Sequence, residues 1–360
     1  MKIDSEKYVP VLKWRQGEYQ ALFLLANEIK DSVVPLVIIP PREFDFEENK
    51  MKKTIHEHVE TFPKRLKKKW SARLALIDTH ESLEDERMDD GRLVIEYVLE
   101  ETKSLGCEVV PVVGLKRRSL YLDSVKAFAA ESGCGVALRV RLDELSNPTV
   151  SADVNALLKY LAVPWDNVDF IVDLGDPGNF QPYPVFAKVI AGAVSKIAGC
   201  KSSRSKVFVG TSLKLSEVKK PGATQPRHEW SLYKELRSEL EKNMPAPSFG
   251  DYSIEAPDFA EGIDMRMVKP GGKIVYTTID SWFIPKGGAF RTNPAQMIGH
   301  CNAIISSGHY IDRDYCKGDE RIEDTANKVT NCGSLTTWKG VGVNHHITFV
   351  VRQIAKQYGT

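Results

Sequence analysis

Short runs dominated by valine, isoleucine and leucine recur along the chain, each bounded by polar or turn-forming residues. They fall at 8–13, 34–40, 73–78, 107–114, 135–139, 168–173, 206–212 and 249–254. Between most of them lie spans whose apolar residues recur three and four apart, the spacing of one helix face: 18–30, 91–105, 121–132, 152–162, 184–198 and 228–243. In the first of these Leu22, Leu25 and Ile29 share that face. A strand that is apolar on both sides must be covered on both sides, which a parallel sheet flanked by helices achieves. Eight such strands predict closure into an α/β fold of the (β/α)8, TIM-barrel-like kind. An open doubly wound sheet is the competing arrangement, but no GxGxxG follows the first strand and no surplus of strands marks a switch point.

The rhythm breaks at 256–290, where 273–278 and 281–285 alternate like antiparallel strands and end at Gly287 and Gly288. This predicts a β insertion after strand 8. Helical patterns at 293–306 and about 343–357 follow, the last packing as the closing helix. The expected organisation is one domain overall, with a barrel core at 1–255, a hairpin-like insertion at 256–290 and a C-terminal helical segment at 291–360.

Composition is that of a globular protein, with 42% hydrophobic and 27% charged residues in a chain of 360. A net charge of +1 supplies no global field to hold nucleic acid or an anionic membrane, so any such binding has to be local. The six cysteines show no CxxC spacing and are expected to be reduced thiols. The N-terminal MKIDSEKY lacks a signal peptide's apolar stretch, and no apolar run approaches the ~20 residues of a membrane span. A cytoplasmic location is expected.

In a parallel barrel the side chains just past the strand C-termini converge on one opening. Those positions hold Lys13 and Glu18, Glu43, Asp78 and His80, Arg139 and Arg141, Asp173 and Asp176, Thr211 and Ser212, and Asp251 and Tyr252. Singly, each has an ordinary role: Asp78 or Asp173 as a helix cap, Arg139 as counter-charge to a carboxylate. Together they crowd acids and bases whose desolvation is costly unless a ligand or a network uses them. Asp78, Asp173 and Asp251 offer hard oxygen ligands to a divalent cation.

Outside these positions, His345 and His346 stand at the expected start of the last helical pattern, where sequence neighbours point about 100° apart, so at most one faces a given site. One suits acid–base work near neutrality, or Asn344 makes the pair part of a helix cap. Arg227 and Glu229 open the helix at 228–243, paired with each other or holding a phosphate and a hydroxyl at its N-terminus. Lys116, Arg117 and Arg118 follow the fourth strand and could face an anion. The basic run in 47–70 suits phosphates or, more ordinarily, a solvated helix face. Tyr276, Trp282, Trp338 and Arg291 would line the insertion against a flat ligand, although core packing is the commoner role of such aromatics.

Tyr8-Val-Pro-Val-Leu-Lys13-Trp-Arg-Gln-Gly17-Glu18, Phe249-Gly-Asp251-Tyr252, Val275-Tyr276-Thr277, Lys317-Gly318-Asp319, and Trp338 followed by Asn344-His345-His346 together resemble the Beta protein family. That family is named after a phage-satellite gene and occurs in bacterial defence islands and prophages. The resemblance covers essentially the whole chain and implies anti-phage defence or competition between mobile elements, beside a protein partner from the same operon. The family's functional positions fall here on Lys13, Glu18, Asp173, Arg227, Glu229, Asp251, Tyr252, Tyr276, Asp319, His345 and His346. Residues 47–70 and 256–272 match none of its motifs.

Three functions stay open. The first is a barrel enzyme, of hydrolase or phosphodiesterase type, acting on a nucleotide, nucleic acid or other phosphorylated ligand. Lys13, Arg139 and Arg227 would hold the phosphate, Asp173 and Asp251 would act as acid–base groups or metal ligands, Glu229 would join them as a catalytic residue, and His345 or His346 would move a proton. The second is a non-catalytic sensor or regulator that binds a phage component or a partner protein. The third is glycoside hydrolysis by Asp173 with Glu229 or Asp251.

Overall fold

The computed structural model describes residues 3–259, 262, 264 and 267–359. It divides into two compact units. One comprises Met1–Lys13, Val34–Gly210 and Glu229–Asp251; the other comprises Trp14–Val33, Thr211–His228 and Tyr252–Thr360.

The first unit is built on strands β1 (Tyr8–Leu12), β2 (Leu36–Ile39), β3 (Ala75–Thr79), β4 (Val109–Val113), β5 (Val136–Arg141), β6 (Val168–Asp173), β7 (Ser205–Gly210) and β8 (Ser248–Asp251). Each strand pairs in parallel with the next, and β8 closes on β1. Every residue in them is buried except Arg141 at the end of β5. Burial on both faces is what made the runs legible as continuous apolar segments. At Gly250 an added Cβ would stand 2.7 Å from Val9 O and 2.8 Å from Val209 Cγ2, so the close approach of β8 to its two neighbours requires glycine there.

Helices Val94–Ser104, Ser119–Ser132, Val150–Leu161 and Tyr183–Ser195 alternate with these strands. Phe62–Trp70 is also helical and turns Phe62, Leu66 and Trp70 inward, because residues four apart share a face. Its Lys64 and Lys68 are exposed. The basic run is therefore the solvated face of an amphipathic helix.

Two parts make up the second unit: the helices Gln16–Phe23, Asn27–Lys30, Gln296–Ile305, Lys317–Ala326 and Leu335–Tyr358, and a sheet. The helix expected over 18–30 is thus two short ones. The last helix starts at Leu335, well before the expected 343, with Ser334 Oγ accepting from Thr337 N at 3.1 Å as its cap. Asn344, His345 and His346 consequently lie in its interior and do not cap it; Asn344 Oδ1 instead accepts from Gly318 N at 2.9 Å, in the first turn of the helix Lys317–Ala326. Gly340 lets the last helix meet Gln16–Phe23 closely, since a Cβ there would stand 3.2 Å from Gly17 O.

In the sheet, the strand Ser281–Ala289 pairs antiparallel with Gly271–Lys273 and Tyr276–Thr277, close to the expected insertion. Its other partner is Gly222–Pro226, in register Ala223↔Ile284 and Thr224↔Phe283. Gly-Ala-Thr-Gln-Pro shows no apolar alternation, so this strand had no signal in the sequence. Met297, Cys301, Ile304, Ile322 and Trp338 form the core beneath. Tyr276, Trp282 and Trp338 are at most 2% exposed, so these aromatics pack as core. All six cysteines are free thiols. Among the described residues no helix is long and apolar enough to cross a membrane.

Candidate functional site

Asp78, Arg139 and Asp173 stand towards the C-terminal ends of β3, β5 and β6, where inward-pointing positions of different strands meet. The guanidinium of Arg139 joins the two acids. Its Nη1 donates to Asp78 Oδ2 at 3.1 Å, while Nε and Nη2 reach Asp173 Oδ2 at 2.8 and 2.6 Å. The other oxygen of Asp173 accepts from Gly175 N at 2.9 Å. Asp78 Oδ1 accepts from Arg117, which also donates to Glu84 Oε1 at 2.6 Å and to Thr79 O at 3.1 Å. Burial works against the Arg117 charge, but Asp78, with Glu84 beside it, outweighs burial and holds the guanidinium above its usual range.

The result is a chain of alternating charge, Asp173–Arg139–Asp78–Arg117–Glu84, with both of its first carboxylates almost wholly buried. Elsewhere in the barrel Asp251, at the end of β8, accepts a hydrogen bond from the Tyr8 hydroxyl. Lys13, just past β1, is 5% exposed. At the opposite strand ends Asp169 takes Arg204 on both oxygens, at 3.0 and 2.6 Å, and Ser205 Oγ at 2.7 Å. That pair fastens the start of β6 to the start of β7.

A second cluster belongs to the other unit. Asp319, near the start of the helix Lys317–Ala326, accepts at Oδ1 from Tyr276 Oη at 2.8 Å. Its Oδ2 faces both His345 Nδ1 at 2.8 Å and Cys316 Sγ at 2.9 Å. Thr277 O takes the remaining His345 nitrogen, Nε2, at 3.0 Å. Burial works to raise the carboxyl of Asp319, yet His345, with the Cys316 and Tyr276 donors, holds it below the ordinary carboxylate range. Asp319 is thus ionised, and each nitrogen of His345 faces an oxygen acceptor.

Burial and then the Asp319 charge push the Cys316 thiol well up, and the same two causes push up the Tyr276 hydroxyl. Cys316 is therefore a protonated thiol donating to a carboxylate, which is not the arrangement of an activated nucleophile. The Tyr276 ring stacks on His345 with centroids 3.9 Å apart. His346 Nδ1 lies 2.8 Å from Thr277 Oγ1, so the two histidines meet the same strand residue, one at its carbonyl and one at its hydroxyl. Among the described residues, Cys316, Asp319 and His345 are the group of metal-ligating side chains whose donor atoms all lie within 4.8 Å. Asp78, Asp173 and Asp251 do not form such a group.

The other residues singled out in the sequence are placed as follows. Glu18 accepts from Arg15 N at 3.0 Å at the start of its helix and pairs with Lys339 at 3.2 Å. Arg227 precedes the helix His228–Leu240 and donates to Thr278 O at 3.1 Å and Gln353 Oε1 at 2.8 Å. Glu229 and Tyr252 are buried, at 4% and 3% exposure. Glu43 pairs at the surface with Lys52 at 3.0 Å, and His80 Nδ1 caps a short turn by accepting from Ser82 N at 3.3 Å. Lys116, Arg117 and Arg118, expected to face an anion, are paired with Asp143, Asp78 with Glu84, and Asp85 respectively.

Sequence reasoning missed Tyr8, Glu84, Cys316 and Thr277. Only Cys316 carried a local signal, three residues before Asp319 at a helix start, where side chains at that spacing meet.

A closed parallel barrel with a buried charge network at its C-terminal strand ends defines the chain as a (β/α)8-barrel protein. The model of the Beta protein family matches residues 8–352, nearly the whole length, and the chain belongs to that family. No curated protein matches the sequence.

Proposed function

We propose that this chain is a barrel enzyme of a phage-defence or mobile-element competition system, acting on a phosphorylated ligand such as a nucleotide or nucleic acid at the C-terminal strand ends of the barrel. One observation carries the reading: Lys13, Asp78, Arg139, Asp173 and Asp251 are all buried there. In barrel enzymes catalytic groups come from these strand ends, and a preorganised cation facing a developing anionic charge is worth about 3–4 kcal/mol. In this reading Arg139 exchanges a carboxylate for a phosphate oxygen, Lys13 holds the same group, and Asp251, oriented by Tyr8, moves the proton. The test is a thermal-shift panel of nucleotides and short oligonucleotides with and without Mg²⁺, followed by hydrolysis assays on Asp173→Asn and Asp251→Asn. Ligand-dependent stabilisation and activity lost in both variants support the reading. Cellular protection and hydrolysis both intact in the two variants would end it.

A second reading, a non-catalytic regulator that binds a partner protein, is favoured by the mutual satisfaction of Arg139, Asp78, Arg117 and Glu84. A closed network of this kind holds strand ends in place without turnover. No shift across the panel, together with tight binding of a co-encoded protein, selects it.

A further inference from the structure

We propose that Cys316, Asp319 and His345 bind a Zn²⁺ ion through Cys316 Sγ, Asp319 Oδ2 and His345 Nδ1. Thiolate, imidazole and carboxylate are the donor types Zn²⁺ takes, and three protein ligands leave the fourth tetrahedral position to water or substrate. The inference is independent of the proposed barrel activity.

Convergence comes first. Sγ and Nδ1 approach the same oxygen, Oδ2, at 2.9 and 2.8 Å, and the three donors lie within 4.8 Å of one another. Tetrahedral zinc bonds of about 2.0–2.3 Å hold such donors about 3.3–3.7 Å apart, so Sγ and Nδ1 each need to part from Oδ2 by under about 1 Å.

The surroundings point the same way. A histidine that ligates through one ring nitrogen characteristically donates its other N–H to a backbone carbonyl, fixing the tautomer, and a ligating carboxylate is itself hydrogen-bonded. Here Nε2 donates to Thr277 O at 3.0 Å, and the free oxygen of Asp319 is held by Tyr276 Oη at 2.8 Å. Both supports use atoms other than the three proposed donors. Stacking of Tyr276 on His345 fixes the ring plane as well.

Charge suits the ion too: thiolate, neutral imidazole, carboxylate and Zn²⁺ sum to zero, the ligands' protons leaving to solvent, so the loaded buried site holds no net charge to desolvate. Access exists at Cys316, which lines a cavity of about 420 Å³ with Arg313, Lys317 and Arg352.

The full-length protein, stripped with a chelator and desalted, is titrated with Co²⁺ as a spectroscopic stand-in and then with Zn²⁺. One equivalent of Co²⁺ is expected to give a thiolate-to-cobalt charge-transfer band and intense tetrahedral d–d bands, both removed by Zn²⁺. Cys316→Ser is expected to lose the charge-transfer band, whereas Cys332→Ser keeps it. Tyr276→Phe is expected to weaken Zn²⁺ affinity about 10–100-fold by releasing the carboxylate. Should Cys316→Ser fold poorly, alkylation of the wild-type protein followed by mass spectrometry serves instead, with Zn²⁺ protecting Cys316. No charge-transfer band in the wild type, a band undiminished in Cys316→Ser, or alkylation of Cys316 unaffected by Zn²⁺ overturns the proposal.

Discussion

Arg139 on β5 and Asp173 at the end of β6 form a two-point contact, Nε and Nη2 reaching one carboxylate oxygen at 2.8 and 2.6 Å, while the third guanidinium nitrogen crosses to Asp78 on β3. One side chain thereby holds strands that are not neighbours in the ring.

Replacing Arg139 with methionine keeps the volume and removes the charge, leaving two nearly buried carboxylates to face each other. Removing one partner of such a set costs about 3–5 kcal/mol. Urea unfolding of Arg139→Met read by far-UV circular dichroism checks this, and a loss below about 1 kcal/mol would show that the network is held by something else.

Tyr8 and Asp251 should be coupled in the same way. Tyr8→Phe deletes the donor to Asp251 and is expected to cost about 1–3 kcal/mol. In a double-mutant cycle with Asp251→Asn the two losses should fail to add by at least about 0.5 kcal/mol. Simple additivity contradicts the coupling.

Gly318 sits beside Asp319 at a point of close contact, where an added Cβ would stand 2.7 Å from Val341 O and 3.2 Å from His345 N. Gly318→Ala must push the helices Lys317–Ala326 and Leu335–Tyr358 apart, at about 1–3 kcal/mol. A thermal midpoint equal to that of the wild type is the contrary result.

Stability should fall in mild acid. Burial pushes His58, His228 and His300 below the usual histidine value. A base whose folded-state pKa is depressed is charged more readily in the unfolded chain. Its contribution is complete above the unfolded value of about 6.5 and is lost as pH drops towards the folded one. Urea midpoints should decline between about pH 7.5 and 5.5, and His58→Gln should flatten the decline. Midpoints that do not move across that window would contradict the assignment.

The eight barrel strands were legible in sequence because burial on both faces writes itself as an unbroken apolar run. Residues near their C-terminal ends, such as Asp78, Arg139 and Asp173, stood out for the opposite reason, as charges closing apolar strands. What sequence could not show was partnership across distance. Nothing near Asp251 announces Tyr8, which lies 243 residues away. Arg117, in a basic triplet, reads as an anion seeker until Asp78 and Glu84 are seen beside it. The two histidines were expected to face different sites because neighbours on a helix diverge. That holds for their directions, yet Thr277 offers a carbonyl to one and a hydroxyl to the other, so a single strand residue collects both.

The second unit has no continuous gene segment of its own. Its stretches leave the chain after β1, after β7 and after β8, three strands that run consecutively around the closed ring. Exchanging this unit with that of a relative therefore takes a graft of three separate segments, and a substitution in Trp14–Val33 is selected against partners encoded more than 300 residues downstream, as Glu18 is by Lys339.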